Sequence, residues 1–195
     1  MTISLYFAPF TRATRPRWLL EELGVPYELV VVDLAAGEHK GEAFRRDVHP
    51  LGKVPALVID GVTMFESTAI VAVIADRHLD KGFAPAIESS ERPAYLQWLF
   101  YAMTTLEPEV VNAAAHKGDA DALKRDQHQI NDAAEPLSQA LALRDWLLPS
   151  GFSAADIVAG SVLIWAASLK LVQQPALLAY VERCKARPAW RTSLK

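Results

Sequence analysis

Cysteine occurs once in this sequence of 195 residues, at Cys184. A single thiol excludes an internal disulfide, a thiolate zinc site and a C-x-x-C redox pair, and makes a cytoplasmic location the expectation. No apolar run approaches the roughly 18 residues that span a bilayer, so no membrane partner is expected. The N-terminal stretch "MTISLYFAPF" lacks a charged region leading into a long apolar one, so no secretory signal is expected. Charge of one sign is missing too. With 20 Lys+Arg against 23 Asp+Glu, no net basic field favours nucleic acid. None of the five histidines has an HExxH partner or another metal-ligand spacing, and no metal is assigned.

What is present is an ordinary globular composition, in a chain long enough for one large domain or two small ones. The first eighty residues alternate in type. "ISLYFA" reads as a short strand ended by Pro9, and "RPRWLLEELG" as a helix with Pro16 in its first turn and Gly24 as its stop. "YELVVVDL" is a β-branched strand, and "GEAFRRDV" fits a turn or two of irregular helix. "VPALVID" and "VTMFES" form a hairpin across Asp60-Gly61, followed by the helix "STAIVAVIADRHL". The order βαβ then ββα predicts a mixed four-stranded sheet with helices packed on it. Strand alternation is absent after the polar segment "DKGFAPAIESSERP". Four helical stretches follow, the first kinked or ended at Pro108 and the last running through "PALLAYVERCKARPAWRTSL". The expected division is an α/β domain at 1–80, a linker at 81–87 and an all-helical domain at 88–195.

Polar groups stand at several ends of these elements, and each has two readings. Val54-Pro55 is either a trans proline opening an edge strand or a cis linkage that turns the edge outward. In the second case the main chain of Val54 is available to an extended peptide ligand. Glu66-Ser67 is either a helix cap or a pair that holds an amino-acid head group, with helix N–H groups for the carboxylate and Glu66 for the ammonium. In "FTRATRPR" three arginines sit at a helix start, where the dipole disfavours them. They either solvate freely or raise the potential around a bound anion. Ionising a thiol of pKa about 8.5 at neutral pH takes roughly 3 kcal/mol. A hydroxyl from Tyr6, Thr11 or Thr14, with helix N–H groups and an arginine, supplies an amount of that order. In "GEHK", His39 and Lys40 either face solvent or clamp a second carboxylate.

The ordered set "LYFAP…TRATRPRWLLEELGVPYELV", "GEHK", "HPLGKVPAL" and "DG…FESTAI", with "FSAADIVAG" further on, resembles the glutathione S-transferase family over nearly the whole chain. Ser153 and Asp156 in the last stretch form a capping box, with Asp where the family usually has Glu. The resemblance implies an α/β plus all-α fold: a thioredoxin-like N-terminal domain with cis Pro55, then a helical bundle. It implies glutathione as co-substrate, lying extended along the sheet edge. Val54 would pair its main chain with the cysteinyl part, Glu66 and Ser67 would hold the γ-glutamyl head group, and His39, Lys40 and Lys53 would surround the glycine carboxylate. In place of the serine of the bacterial "S-R-x-x-R" subset stands Thr11, with Arg12 beside it. Tyr6 is the alternative thiol activator, because "YF" at a first strand's end is similar to the tyrosine-type classes. Phe10, Tyr101, Thr105 and Trp165 would line the electrophile pocket. The implied activity is transfer of glutathione to a small hydrophobic electrophile by a homodimer. Glutathione-dependent isomerisation, dehalogenation or peroxide reduction, and ligand binding without turnover, are the alternatives.

Overall fold

Two stretches of very different character, one alternating and one wholly helical, fold into two compact units. The computed structural model describes residues 2–116 and 119–195. In strand β1 (Ile3–Phe7) the odd residues Ile3, Leu5 and Phe7 are buried while Ser4 and Tyr6 are partly exposed, the period-two pattern of a strand with unlike faces. Helix α1 (Thr14–Leu23) buries Trp18, Leu19, Leu20 and Leu23, and Gly24 ends it at φ 63° with its N–H on the Leu20 carbonyl. Strand β2 (Glu28–Val31) returns parallel to β1, paired from Ser4↔Glu28 to Phe7↔Val31.

A 3₁₀ turn over Glu38–Lys40 and the short helix α2 (Glu42–Asp47) follow. Phe44 of α2 sets its ring edge-on to Tyr6 at 5.8 Å, so α2 meets the face of β1 opposite the buried one. Strands β3 (Ala56–Ile59) and β4 (Val62–Phe65) form the expected hairpin, with Asp60 and Gly61 both at positive φ as a tight two-residue turn requires. The sheet runs β2-β1-β3-β4, antiparallel except for β1 with β2. Helix α3 (Ser67–Asp76) buries Ile70, Val71, Ile74 and Ala75 and packs with α1 over β1 and β3.

The second unit spans Gly82–Arg187. It holds α4 (Arg92–Tyr101), α5 (Glu107–Ala115), α6 (Ala120–Ala142), α7 (Ala154–Ser168) and α8 (Pro175–Ala186). Helix α7 is apolar on nearly all sides, the mark of a helix enclosed by others, and it packs against α4, α5 and α8. At its start Asp156 is fully buried and accepts four bonds: from the Leu147 N–H at 2.9 Å, the Ser153 N–H at 2.9 Å, the Ser153 hydroxyl at 3.0 Å and the Tyr180 hydroxyl at 3.0 Å. The expected capping role of Asp156 is thus joined to a tie between α7 and α8.

Three sequence expectations change. The stretch around Pro108 is neither broken nor sharply ended. A π-helical turn over Ala102–Leu106, closed by the Glu107 N–H on the Ala102 carbonyl, joins α4 to α5 and carries the helical chain past Pro108, which has no N–H to give. The final helical stretch is two helices. Arg187 is extended at ψ 130°, as a residue preceding proline tends to be, and α9 (Pro188–Ser193) starts afresh. Domain limits shift with it, because residues 188–195 group with the first unit instead of the helical one. There Trp190 of α9 packs on Trp18 of α1, ring centroids 4.9 Å apart. Between the 3₁₀ turn at Leu79–Lys81 and Arg92 no helix or strand forms, and the first helix of the second unit starts at Arg92, where the pattern "RPAYLQWLFY" places it.

Candidate functional site

Three loops of the first unit meet at one cleft of about 320 Å³. Its walls are Phe10, Thr11 and Arg12 after β1, Leu34 with His39 and Lys40 from the β2–α2 connection, and Gly52, Lys53 and Val54 before β3. Six of the residues singled out in the sequence are therefore neighbours, together with Phe10, whose ring is 88% exposed. The β1–β3 pairing ends at Tyr6↔Ala56, so Val54 lies beyond the ladder, and the Val54-Pro55 linkage is cis. Of the two sequence readings of this dipeptide, the edge-turning one holds. Pro55 itself is buried behind the cleft wall.

Arg12, Lys40 and Lys53 give the cleft a strongly cationic lining, suited to a carboxylate, with His39 beside them. His39 is held at the middle of the 3₁₀ turn, and its Nδ1 is buried without a hydrogen-bond partner. The hydroxyl of Thr11 donates to the Ala8 carbonyl at 2.7 Å and accepts from the Ala13 N–H at 3.2 Å. As the side chain stands, its proton is turned toward the chain and away from any ligand. Tyr6 is not a wall of the cleft. It points to the α2 face of the sheet, against Phe44.

Glu66 and Ser67 stand at the β4–α3 junction, outside the residues that line the cleft. The capping reading of Ser67 gives way to a different arrangement. Glu66 holds the N-cap position at φ 74°, ψ 107°, a conformation unusual for a side-chain-bearing residue, and Ser67 is the first residue of the helix. The Ser67 oxygen accepts from Arg15 at 3.1 Å. A guanidinium only donates, so the Ser67 proton is left to point elsewhere. Arg15 and Arg17 are buried, so the solvated reading fails for both: Arg15 reaches Ser67, and Arg17 lies 4.5 Å over the Phe7 ring. Arg12 alone of the three is exposed.

The remaining sequence candidates belong to the helical unit. Tyr101 donates its hydroxyl to the Ala133 carbonyl at 3.0 Å, and burial raises its pKa. Thr105 lies in the π-helical turn and Trp165 on α7, both half-buried. Cys184 is buried, with burial and then the Asp156 charge raising its pKa, which removes it from thiolate chemistry. Among the described residues no group of three His, Cys, Asp or Glu side chains is placed to hold a metal ion. No helix of the described residues is long and apolar enough to cross a membrane. Sequence reasoning took Arg15 only as one of three arginines at a helix start, and passed over Leu34, His49 and Gly52. Only Gly52, a glycine next to the cleft lysine, offered a local signal.

A four-stranded α/β unit with a cis proline at the mouth of β3, followed by a helical unit, defines a thioredoxin-like protein with an appended helical domain. The family model for the glutathione S-transferase N-terminal domain matches residues 1–76, and that for the C-terminal domain matches residues 74–188. The chain belongs to the glutathione S-transferase family. It is 33% identical to the disulfide-bond oxidoreductase YfcG of Escherichia coli, over 96% of this chain and 92% of that protein. Among solved structures, a sphingomonad glutathione S-transferase complexed with glutathione superposes with a TM-score of 0.84 at 33% identity, covering 98% of this chain and 96% of the other. A glutathione transferase of Methylococcus capsulatus gives a TM-score of 0.85 at 28% identity, covering 99% and 97%.

Proposed function

We propose that the protein is a glutathione transferase that binds glutathione along the cleft and directs its sulfur at a small hydrophobic electrophile. The observation that carries this reading is the meeting of the Val54 main chain with His39, Lys40 and Lys53 on one wall and Thr11 and Arg12 on the other. An extended tripeptide pairs with the first by its backbone and glycine carboxylate, and its thiol then faces the second. Glu66 and Ser67 take the γ-glutamyl ammonium and carboxylate, the latter through the Ser67 proton that Arg15 leaves available. Thiolate formation draws on the Arg12 charge and on the Thr11 hydroxyl, which must turn away from Ala8 to donate. That exchange of one neutral bond for another to a charged acceptor is favourable by about 1 kcal/mol. The exposed Phe10 supplies the apolar contact for the electrophile. A homodimer in the cytoplasm completes the proposal.

A second reading is favoured by the relative named as a disulfide-bond oxidoreductase. In it the bound glutathione thiolate attacks a disulfide, forms a mixed disulfide and expels the other sulfur as thiolate. With Cys184 buried, every sulfur in that exchange comes from the ligands. Conjugation of a panel of aryl halides and enones, run beside reduction of a small disulfide, separates the two. In either case Thr11→Ala is expected to lower kcat roughly tenfold and raise the pKa of bound glutathione, read by thiolate absorbance. Unchanged rates and absorbance in Thr11→Ala would remove Thr11 from the mechanism.

A further inference from the structure

We propose that Gly52 is a positioning residue, fastening the two loops whose spacing sets the grip on glutathione; the proposal rests on the glutathione reading above. Gly52 is buried, takes φ 58°, and lies so close to the 3₁₀ turn that a Cβ on it would stand 2.3 Å from the His39 carbonyl oxygen. The next atoms are Arg45 Nε at 3.3 Å and the His39 carbonyl carbon at 3.4 Å. The obstacle is main chain, which cannot swing aside as the tip of a long side chain does.

Each loop is braced on its own side. The 3₁₀ turn is tied by the Lys40 N–H to the Gly37 carbonyl at 2.8 Å, and the Glu38 carboxylate accepts from the Asp33 N–H at 2.8 Å. On the other side the Gly52 N–H donates to the His49 carbonyl at 2.8 Å, and the Leu51 N–H to His49 Nδ1 at 3.1 Å. His49 is anchored in turn by its ring against Phe65, centroids 4.8 Å apart, and by its N–H on the Phe44 carbonyl at 2.9 Å. With both sides held, a methyl group at 52 is accommodated only by parting them. Reaching ordinary contact at 3.4 Å from 2.3 Å is an opening of about 1 Å.

That parting separates His39 and Lys40 from Lys53 and Val54, the two halves of the wall that one tripeptide must touch at once. A ligand in place against one half loses the other, and misplacements of this size are costly where several groups converge. A left-handed glycine also carries a backbone cost on substitution, and Gly24 separates that cost from the clash. It sits at φ 63° with nothing within 4 Å of a Cβ, far from the cleft lining.

Glutathione titrated into wild type, Gly52→Ala and Gly24→Ala, followed by calorimetry, with thermal unfolding alongside, tests the proposal. Both variants are expected to lower Tm, while only Gly52→Ala weakens glutathione, by roughly tenfold or more. Its KM for glutathione rises by a larger factor than kcat at saturation falls, because His39, Lys40 and Lys53 grip the glycine carboxylate, away from the sulfur. A folded Gly52→Ala that binds like wild type, or a Gly24→Ala that weakens binding as much, overturns the proposal. If Gly52→Ala does not fold, amide hydrogen exchange on wild type decides: glutathione must slow exchange over 38–40 and 49–54 together, and protection confined to one loop overturns it. A wild type that binds no glutathione defeats the functional reading, and this inference with it.

Discussion

Asp156 gathers four hydrogen bonds on one buried side chain, where burial and hydrogen bonding oppose each other. Burial pushes its pKa up to about 6, against the pull of the Leu147, Ser153 and Tyr180 donors. A carboxyl whose folded pKa lies above its unfolded value favours the folded state at low pH. That advantage fades as pH rises through about 6, by roughly 3 kcal/mol between the two limits. Asp156→Asn cannot titrate and offers one acceptor oxygen to four donors. It is expected to cost about 2–4 kcal/mol at pH 7. The gap to wild type should be widest at pH 4 and narrower at pH 7, measured by urea unfolding at each pH. A gap that does not change with pH would mean that the carboxyl is ionised throughout that range.

Residues were legible in the sequence where a local pattern fixes their role. Ser153 and Asp156 at capping spacing and Gly24 at a helix end are examples, whereas the local pattern at Val54-Pro55 left cis and trans open and only the family resemblance implied cis. Less legible were groups whose role is set by what lies across space. Sequence left Arg15 and Arg17 open between solvation and raising the potential around an anion, but packing of α1 on α3 brings Arg15 to Ser67, and Phe7 covers Arg17. The orientation of the Thr11 proton depends on the carbonyl of Ala8, which only the folded turn brings to 2.7 Å.

At the level of elements, the β4–α3 junction sets a requirement of the fold beside the ligand role proposed for Glu66. Its φ of 74° and ψ of 107° suit glycine better than a residue with a Cβ, yet a carboxylate stands there. Glu66→Ala keeps the backbone cost and loses the carboxylate; Glu66→Gly relieves the cost and loses it too. Both are expected to weaken glutathione alike, with Glu66→Gly more stable than Glu66→Ala by about 1 kcal/mol. Calorimetric Kd values and Tm for the pair check this, and equal stabilities would show that the junction is unstrained. Element types followed directly from periodicity, since β1 alternates and α7 is apolar all round. The π-helical turn at Ala102–Leu106 has no comparable signature. The break at Arg187 had one, a residue ahead of proline, but it is overridden in a reading that follows the apolar spacing from Leu177 to Trp190.

For the whole molecule the consequential feature is that residues 188–195 belong with the first unit. Truncation after Arg187 removes the half-buried Trp190 from Trp18, a contact worth about 1.5–3 kcal/mol of apolar burial. The truncated protein should show a lower Tm and red-shifted tryptophan emission, from a Trp18 newly open to water. Unaltered emission would show that α9 adds nothing to the packing of α1. The two-unit division and the class of each unit were readable from the change in pattern after His78. This return was not, because no periodicity announces which core a short terminal helix will join.

Because the first unit is made of residues 2–81 and 188–195, it is a host with the helical bundle inserted into it. Emerging from the ribosome, the sheet must wait for more than a hundred further residues before Trp18 acquires its lid, while the bundle has all of its own helices sooner. A pull applied at Thr2 and Lys195 would load the sheet-bearing unit first. The cleft-bearing unit, not the bundle, would be the earlier part of the molecule to yield.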